Sequence, residues 1–104
     1  MADDKIETFR RMVARSPDNA LARFGLANEA MKLGLYEEAR ENLEAYLARH
    51  DDEGNGWGRL AECLEKAGRE EEAKEALRKG IAASYRFGHP GMAAELEEKL
   101  EQLG

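Results

Sequence analysis

The sequence predicts an all-α fold, a right-handed stack of antiparallel helix pairs, and two observations carry that prediction. The first is an internal repeat. The stretch LANEAMKLGLYEEARENLEAYL, beginning at Leu26, returns as LAECLEKAGREEEAKEALRKGI, beginning at Leu60, an offset of 34 residues. Leu26 falls on Leu60, Ala27 on Ala61, Lys32 on Lys66, Gly34 on Gly68, Ala39 on Ala73 and Leu43 on Leu77. Glu37 and Glu38 fall on Glu71 and Glu72. A fixed period of this length marks helix–turn–helix units that bury their apolar faces by stacking on one another. The second observation is that each copy consists of two helix-length segments meeting at a glycine, the residue that closes a helix in the left-handed conformation without a Cβ clash. One domain follows, with an N-terminal half-unit at 1–17, complete units at 20–53 and 54–87, and a capping helix at 88–104.

Taken in order, the segment from Asp3 to Arg15 places Ile6, Phe9, Met12 and Val13 at helical spacing. Asp3 and Asp4 complement the positive end of its dipole and Arg15 the negative end. Ser16-Pro17-Asp18-Asn19 stops this helix and caps the next. The first helix of the first unit should run from about Asn19 to Leu33, and Gly34 ends it. The second, Tyr36 to Arg49, carries Ala39, Leu43, Tyr46 and Leu47 on one stripe. Asp51 to Gly56 reads as the least ordered stretch, since glycines 54, 56 and 58 each cost about 1 kcal/mol inside a helix. The next helix is therefore expected to firm up only from Trp57, ending at Gly68. Glu70 to Arg86 follows, with Ala73, Leu77, Ile81 and Tyr85 on its packed face. Pro90 suits the first turn of a last helix, Gly91 to Leu103, with Met92, Leu96, Leu100 and Leu103 apolar on a charged cylinder. The predicted core is Leu26, Ala27, Ala39, Leu43, Trp57, Leu60, Ala61, Leu64, Ala73 and Leu77.

Composition narrows the function classes. Charged residues make up 37% of the 104 residues and the formal net charge is −6. Such a surface repels phosphate backbones and anionic lipid, so neither nucleic acid nor a membrane is expected as the main partner. No apolar run approaches a membrane span, MADDKIETF lacks the pattern of a signal peptide, and the lone Cys63 fits a reducing compartment. A cytoplasmic protein is expected. With two histidines, a cysteine at a core position and no glycine-rich phosphate loop, no nucleophile–base pair presents itself, so no enzyme and no cofactor are expected. His50-Asp51-Asp52-Glu53 is a row of hard ligands, but adjacent residues on an exposed turn read as a solvated cap, and no metal is expected. His89 before Pro90 reads as a turn residue, and Arg10, Arg11 and Arg15 as a solvated outer face.

The period, the glycines and the alternation of small residues (Ala27, Ala39, Ala61, Ala73, Gly80) with larger ones (Leu26, Leu43, Trp57, Leu60, Leu64, Leu77) resemble the tetratricopeptide repeat family, and small stand-alone bacterial members in particular. The resemblance covers nearly the whole chain. It departs at Arg23, where an aromatic is usual, at Tyr46, where a small residue is usual, and at Asp51 and Tyr85, where a closing proline is usual.

The resemblance implies a protein–protein interaction module, a scaffold or adaptor that holds a peptide in a concave groove lined by the first helix of each unit. Carried onto this register, the groove residues are Phe24, Asn28, Met31 and Lys32, then Arg59, Glu62 and Lys66, with Leu21, Asn55, Gly58 and Glu65 beside them. The last helix adds His89, Met92 and Leu96. Phe24 and Met31 form a helical stripe of the kind that also builds cores. Gly25 and Gly58 either lower the groove floor or allow tight helix contact. Some family members grip a C-terminal carboxylate with lysines, asparagines and an arginine. Asn28 matches that set, but Phe24, Gly25 and Arg59 depart from it, leaving at most a looser contact through Arg59, Lys32 and Lys66. The expected partner is a peptide with an apolar anchor for Phe24 and Met31 and polar or acidic groups for Arg59 and Lys66. A self-associating structural protein is the alternative, a homodimer through Met92, Leu96, Leu100 and Leu103. A monomer is preferred, because Glu95, Glu97, Glu98, Lys99 and Glu101 leave that stripe narrow.

Overall fold

The computed structural model describes residues 2–104, with side chains described from Lys5 onward. Asp3 and Asp4, read above as dipole partners, therefore lie outside the described side chains. The described residues form six α-helices and no strand: α1 (Ala2–Arg15), α2 (Ala20–Lys32), α3 (Tyr36–Arg49), α4 (Asn55–Lys66), α5 (Glu70–Arg86) and α6 (Pro90–Leu103). They fall into two compact units, Met1–His50 and Asp51–Gly104. In the first, α2 packs against α1 and α3; in the second, α5 packs against α4 and α6.

In the first unit, Asn19 caps α2 by accepting the Ala22 N–H at 3.1 Å. The helix closes as the turn glycine requires. Gly34 has φ 75°, its N–H reaches Met31 O at 3.0 Å, and the Leu35 N–H reaches Ala30 O at 2.8 Å. This paired closure satisfies carbonyls that the helix end leaves without partners. Gly68, at φ 76°, repeats it, with Arg69 N bonded to Leu64 O at 2.9 Å. Small residues line the pairing: Ala22, Ala27, Ala30 and Ala39 are essentially fully buried, and Leu26 and Leu43 fill the space beside them. Gly25 makes a tight helix contact, since a Cβ there would stand 2.3 Å from the Phe9 ring. Arg23 does not simply replace an aromatic. Its guanidinium donates to Pro17 O at 2.8 Å and to the Oδ1 of buried Asn42 at 3.0 Å, while Asn42 Nδ2 donates to Glu38 O at 2.8 Å.

Arg10 also differs from the sequence reading. It is not a solvated outer cation: its guanidinium grips Glu38 of α3 with two hydrogen bonds, Nε to Oε2 at 2.8 Å and Nη2 to Oε1 at 2.7 Å. Glu7 is its second partner. The fork holds the Glu38 carboxyl below its ordinary range.

In the second unit three expectations are corrected. First, α4 begins at Asn55, not Trp57. The Asp52 carboxylate, 5% exposed, accepts the N–H groups of Gly54 and Gly56, both at 2.8 Å, and so fixes the entry to the helix. Gly54 has φ 131°, and a Cβ there would stand 2.2 Å from Ser84 Oγ and 2.8 Å from Met92 Sδ. The glycine is there for close approach, and the supposed solvated acidic turn is a buried cap. Its neighbours are engaged too, Asp51 with Arg86 and Glu53 with His89. Second, Trp57 is half-buried and not core. Its Cβ abuts Gly80, where an added Cβ would come within 2.9 Å, and its ring lies under the Lys79 ammonium at 5.3 Å. Third, Tyr85 is 55% exposed; Ser84 takes the interior position instead, fully buried and donating to Gly80 O at 2.8 Å. The other nine predicted core residues are all buried. No helix among the described residues is long and apolar enough to cross a membrane.

Candidate functional site: the faces of α2 and of α4 with α6

In the first unit, α2 presents Phe24, Asn28, Met31 and Lys32 at the spacing of one helix face. Phe24 is half-buried, and its ring packs on Tyr46 of α3 with centroids 4.9 Å apart. Tyr46 in turn stacks on His50 at 4.8 Å. Phe24 therefore has a packing role. Asn28 and Met31 are half-buried, and the Asn28 Oδ1 is buried without a hydrogen bond among the described residues. Lys32 is turned back to Glu29, Nζ to Oε2 at 3.1 Å. Leu21 is 82% exposed.

In the second unit, α4 and α6 form the walls of a cleft made of two depressions. One, of about 300 Å³, is lined by Gly58, Ala61, Glu62, Glu65 and Lys66 from α4, Leu77 from α5, and Lys99, Gln102 and Leu103 from α6. The other, of about 280 Å³, is bounded by Asn55, Gly58, Arg59 and Glu62 from α4 and Met92, Glu95, Leu96 and Lys99 from α6. They share Gly58, Glu62 and Lys99, so they meet where an acid and a base line a common glycine floor. Gly58 sets the depth, because a Cβ there would already stand 3.0 Å from Leu96 Cδ2. The walls carry both signs: Arg59, Lys66 and Lys99 against Glu62, Glu65 and Glu95.

The sequence placed Arg59, Glu62 and Lys66 on this wall, and all three line it. It also assigned Met92 and Leu96 to the opposite wall, where they stand. It missed Glu95, Lys99, Gln102 and Leu103, because a charged last helix reads as a solvated cap. Their i, i+4, i+7, i+8 spacing from Glu95 is the signal that would have found them. His89 lines neither depression, being occupied by Glu53. Among the described residues no group of three or more His, Cys, Asp or Glu is placed to hold a metal ion.

Helix pairs closed at glycines in a fixed register define a helical-repeat protein, and comparison with known proteins specifies which. A family model described as Tetratricopeptide repeat matches residues 24–86. A TPR repeat-containing protein of Pseudomonas aeruginosa is 31% identical over 98 residues, spanning 94% of this chain and 93% of that protein. The chain belongs to the tetratricopeptide repeat family. Among solved structures, PcrH in complex with the chaperone binding region of PopD superposes with a TM-score of 0.89 at 23% identity, over 98% of this chain and 77% of that one. MamA gives a TM-score of 0.75 at 19% identity, over 98% and 68%. At these identities the two structures show the fold, an all-α stack of helical pairs.

Proposed function

We propose that the chain is a protein–protein interaction module, a scaffold or adaptor, that holds a short segment of another polypeptide in the cleft between α4 and α6. The observation that carries this reading is the continuity of the two depressions over Gly58, Glu62 and Lys99. A trough with an apolar floor of Ala61, Leu77 and Leu96, and with charges of both signs along its rims, suits a peptide with a small apolar anchor and alternating charge. In the first unit, Asn28, Met31 and Lys32 on α2 are a second contact surface, with Phe24 supporting it from below. The solved structure of PcrH with a segment of PopD supports the reading, because it is a protein of this fold holding a piece of another chain.

The rival reading, a homodimer through the apolar stripe of α6, is disfavoured by a specific observation. Leu96 is 5% exposed and lies against Gly58 and Gly80, and Met92 lies against Gly54. Leu96, at the middle of the stripe, is thus already covered within its own unit, and Met92, Leu100 and Leu103 are half-buried.

The test is peptide capture from a displayed library by the chain and by the variant Glu62→Ala/Lys99→Ala. Both residues are exposed, so circular dichroism should show the fold retained. Loss of the captured peptides by the folded variant is expected; equal capture would move binding to another face.

A further inference from the structure

Two helices each leave open a face that their counterparts in the complete pairs bury. By the 34-residue register, α6 is a first helix. Ala94 stands where Leu26 and Leu60 stand, Glu98 where Ala30 and Leu64 stand, and Gly91 where Arg23 and Trp57 stand. By the same register α1 is a second helix. Lys5 corresponds to Ala39 and Ala73, Phe9 to Leu43 and Leu77, and Met12 to Tyr46 and Gly80. In the complete pairs Leu26, Leu60, Ala30 and Leu64 are at most 6% exposed, and Ala39, Ala73, Leu43 and Leu77 at most 1%. On α6, by contrast, Gly91, Ala94 and Glu98 are exposed, as are Lys5 and Met12 on α1.

We propose that α6 of one copy of the chain takes α1 of a second copy as its missing second helix, in a head-to-tail contact. The complete pairs set the register of that contact. The antiparallel pairing that puts Trp57 on Gly80 also aligns Leu60 with Leu77 and Leu64 with Ala73. Applied to α6 and α1 of a second copy, it aligns Glu98 with Lys5, Ala94 with Phe9 and Gly91 with Met12. Glu98 with Lys5 pairs opposite charges and Gly91 with Met12 sets small against large, while Phe9, opposite Ala94, is half-buried because its ring also packs on Gly25 of its own unit. Trp57 on Gly80 is itself large against small, with the order reversed. Lys5 is available for the exchange, since its only ion pair among the described residues is a loose one, 3.8 Å from Glu29, with 64% of its side chain exposed. The two surfaces differ, so the contact is heterologous. Each added copy presents a fresh α1 or α6 face, and association does not stop at a two-fold dimer. The proposal differs here from the monomer that the narrow apolar stripe of α6 predicts.

Sedimentation velocity of the full chain at low salt, across about 10 µM to 1 mM, reads the association directly. The chain should grow in mass with concentration and lose mass on adding salt. Lys5→Glu and Glu98→Lys should each weaken association about tenfold, because each juxtaposes like charges. An equimolar mixture of the two variants should recover it, since both mixed junctions then pair opposite charges. Gly91→Trp is the independent arm. A Cβ there meets nothing within 4 Å in the single chain, so melting should hold while the side chain fills the space of Met12 and abolishes association. A chain that stays monomeric throughout, swaps that leave association unchanged, or a mixture that fails to restore it each overturns the proposal. Should a charge swap lose its helical spectrum, Gly91→Trp decides alone, and undiminished association by it overturns the proposal.

Discussion

At Asp52 and Gly54 two adjacent signals, an acidic run and a cluster of glycines, take on a meaning that local propensity misses. Propensity counts glycine as a helix breaker, whereas here Gly54 lies outside the helix at φ 131° and admits Ser84 and Met92 to its backbone. Asp52→Ala should lower stability by about 1–2 kcal/mol in chemical denaturation, because two N–H donors lose their acceptor. Gly54→Ala should cost more than about 1 kcal/mol, since the backbone strain is added to the clash. Glu38 sets a pH dependence of known sign. Its folded pKa lies below the ordinary 4.5, chiefly through the Arg10 hydrogen bonds. Its contribution is therefore present above about pH 4.5 and lost as pH falls through the lower folded value. Melting curves of the wild type and Glu38→Gln should differ near neutrality and converge on acidification. A gap that widens in acid would mean that the Arg10 fork does not form in solution. The sequence showed Arg10 and Glu38 only as charges 28 residues apart, and nothing local announces such a pair.

Among the elements, α3 and α5 have the very bounds that the apolar stripe and the acidic first turns predict. For these two, periodicity, dipole complementarity and the glycine stop all agree, and tertiary packing confirms what local preference proposes. The α4 helix was misread because its start depends on Asp52 and on the approach of α5 and α6, neither of which a local window contains. The repeat pattern of larger packing positions assigns Trp57 to the core; the Gly80 contact takes its Cβ and leaves the ring beneath Lys79. The pairing of α4 with α5 rests on Leu60, Ala61, Leu64, Ala73 and Leu77, all buried. Leu60→Ala should cost about 2–5 kcal/mol by opening a cavity. Ala61→Leu should cost about 1–3 kcal/mol by overpacking. Thermal melts of both variants check the register, and unchanged melting for the two together would place these positions on a surface.

At the scale of the whole molecule, the α4 wall of the cleft was legible because a repeat period transfers a face from one copy to the next. The α6 wall was only half legible, since the register has no third complete copy to read it against. The geometry nonetheless limits what the cleft can hold. Its lining runs from Asn55 to Lys66 along α4, about 17 Å at 1.5 Å per helical residue. That length accommodates about five residues of extended chain at 3.3 Å each. A segment so short buries well under the roughly 800 Å² per partner of a standard interface, and micromolar affinity follows. Truncation of a captured peptide, followed by calorimetric titration, should show affinity falling steeply below about five residues and gaining little beyond that length. Glu62→Ala/Lys99→Ala should flatten the dependence, because it removes the charges where the two depressions join. Affinity that keeps climbing through ten or more added residues would show that the α4–α6 cleft is only part of the surface the ligand uses.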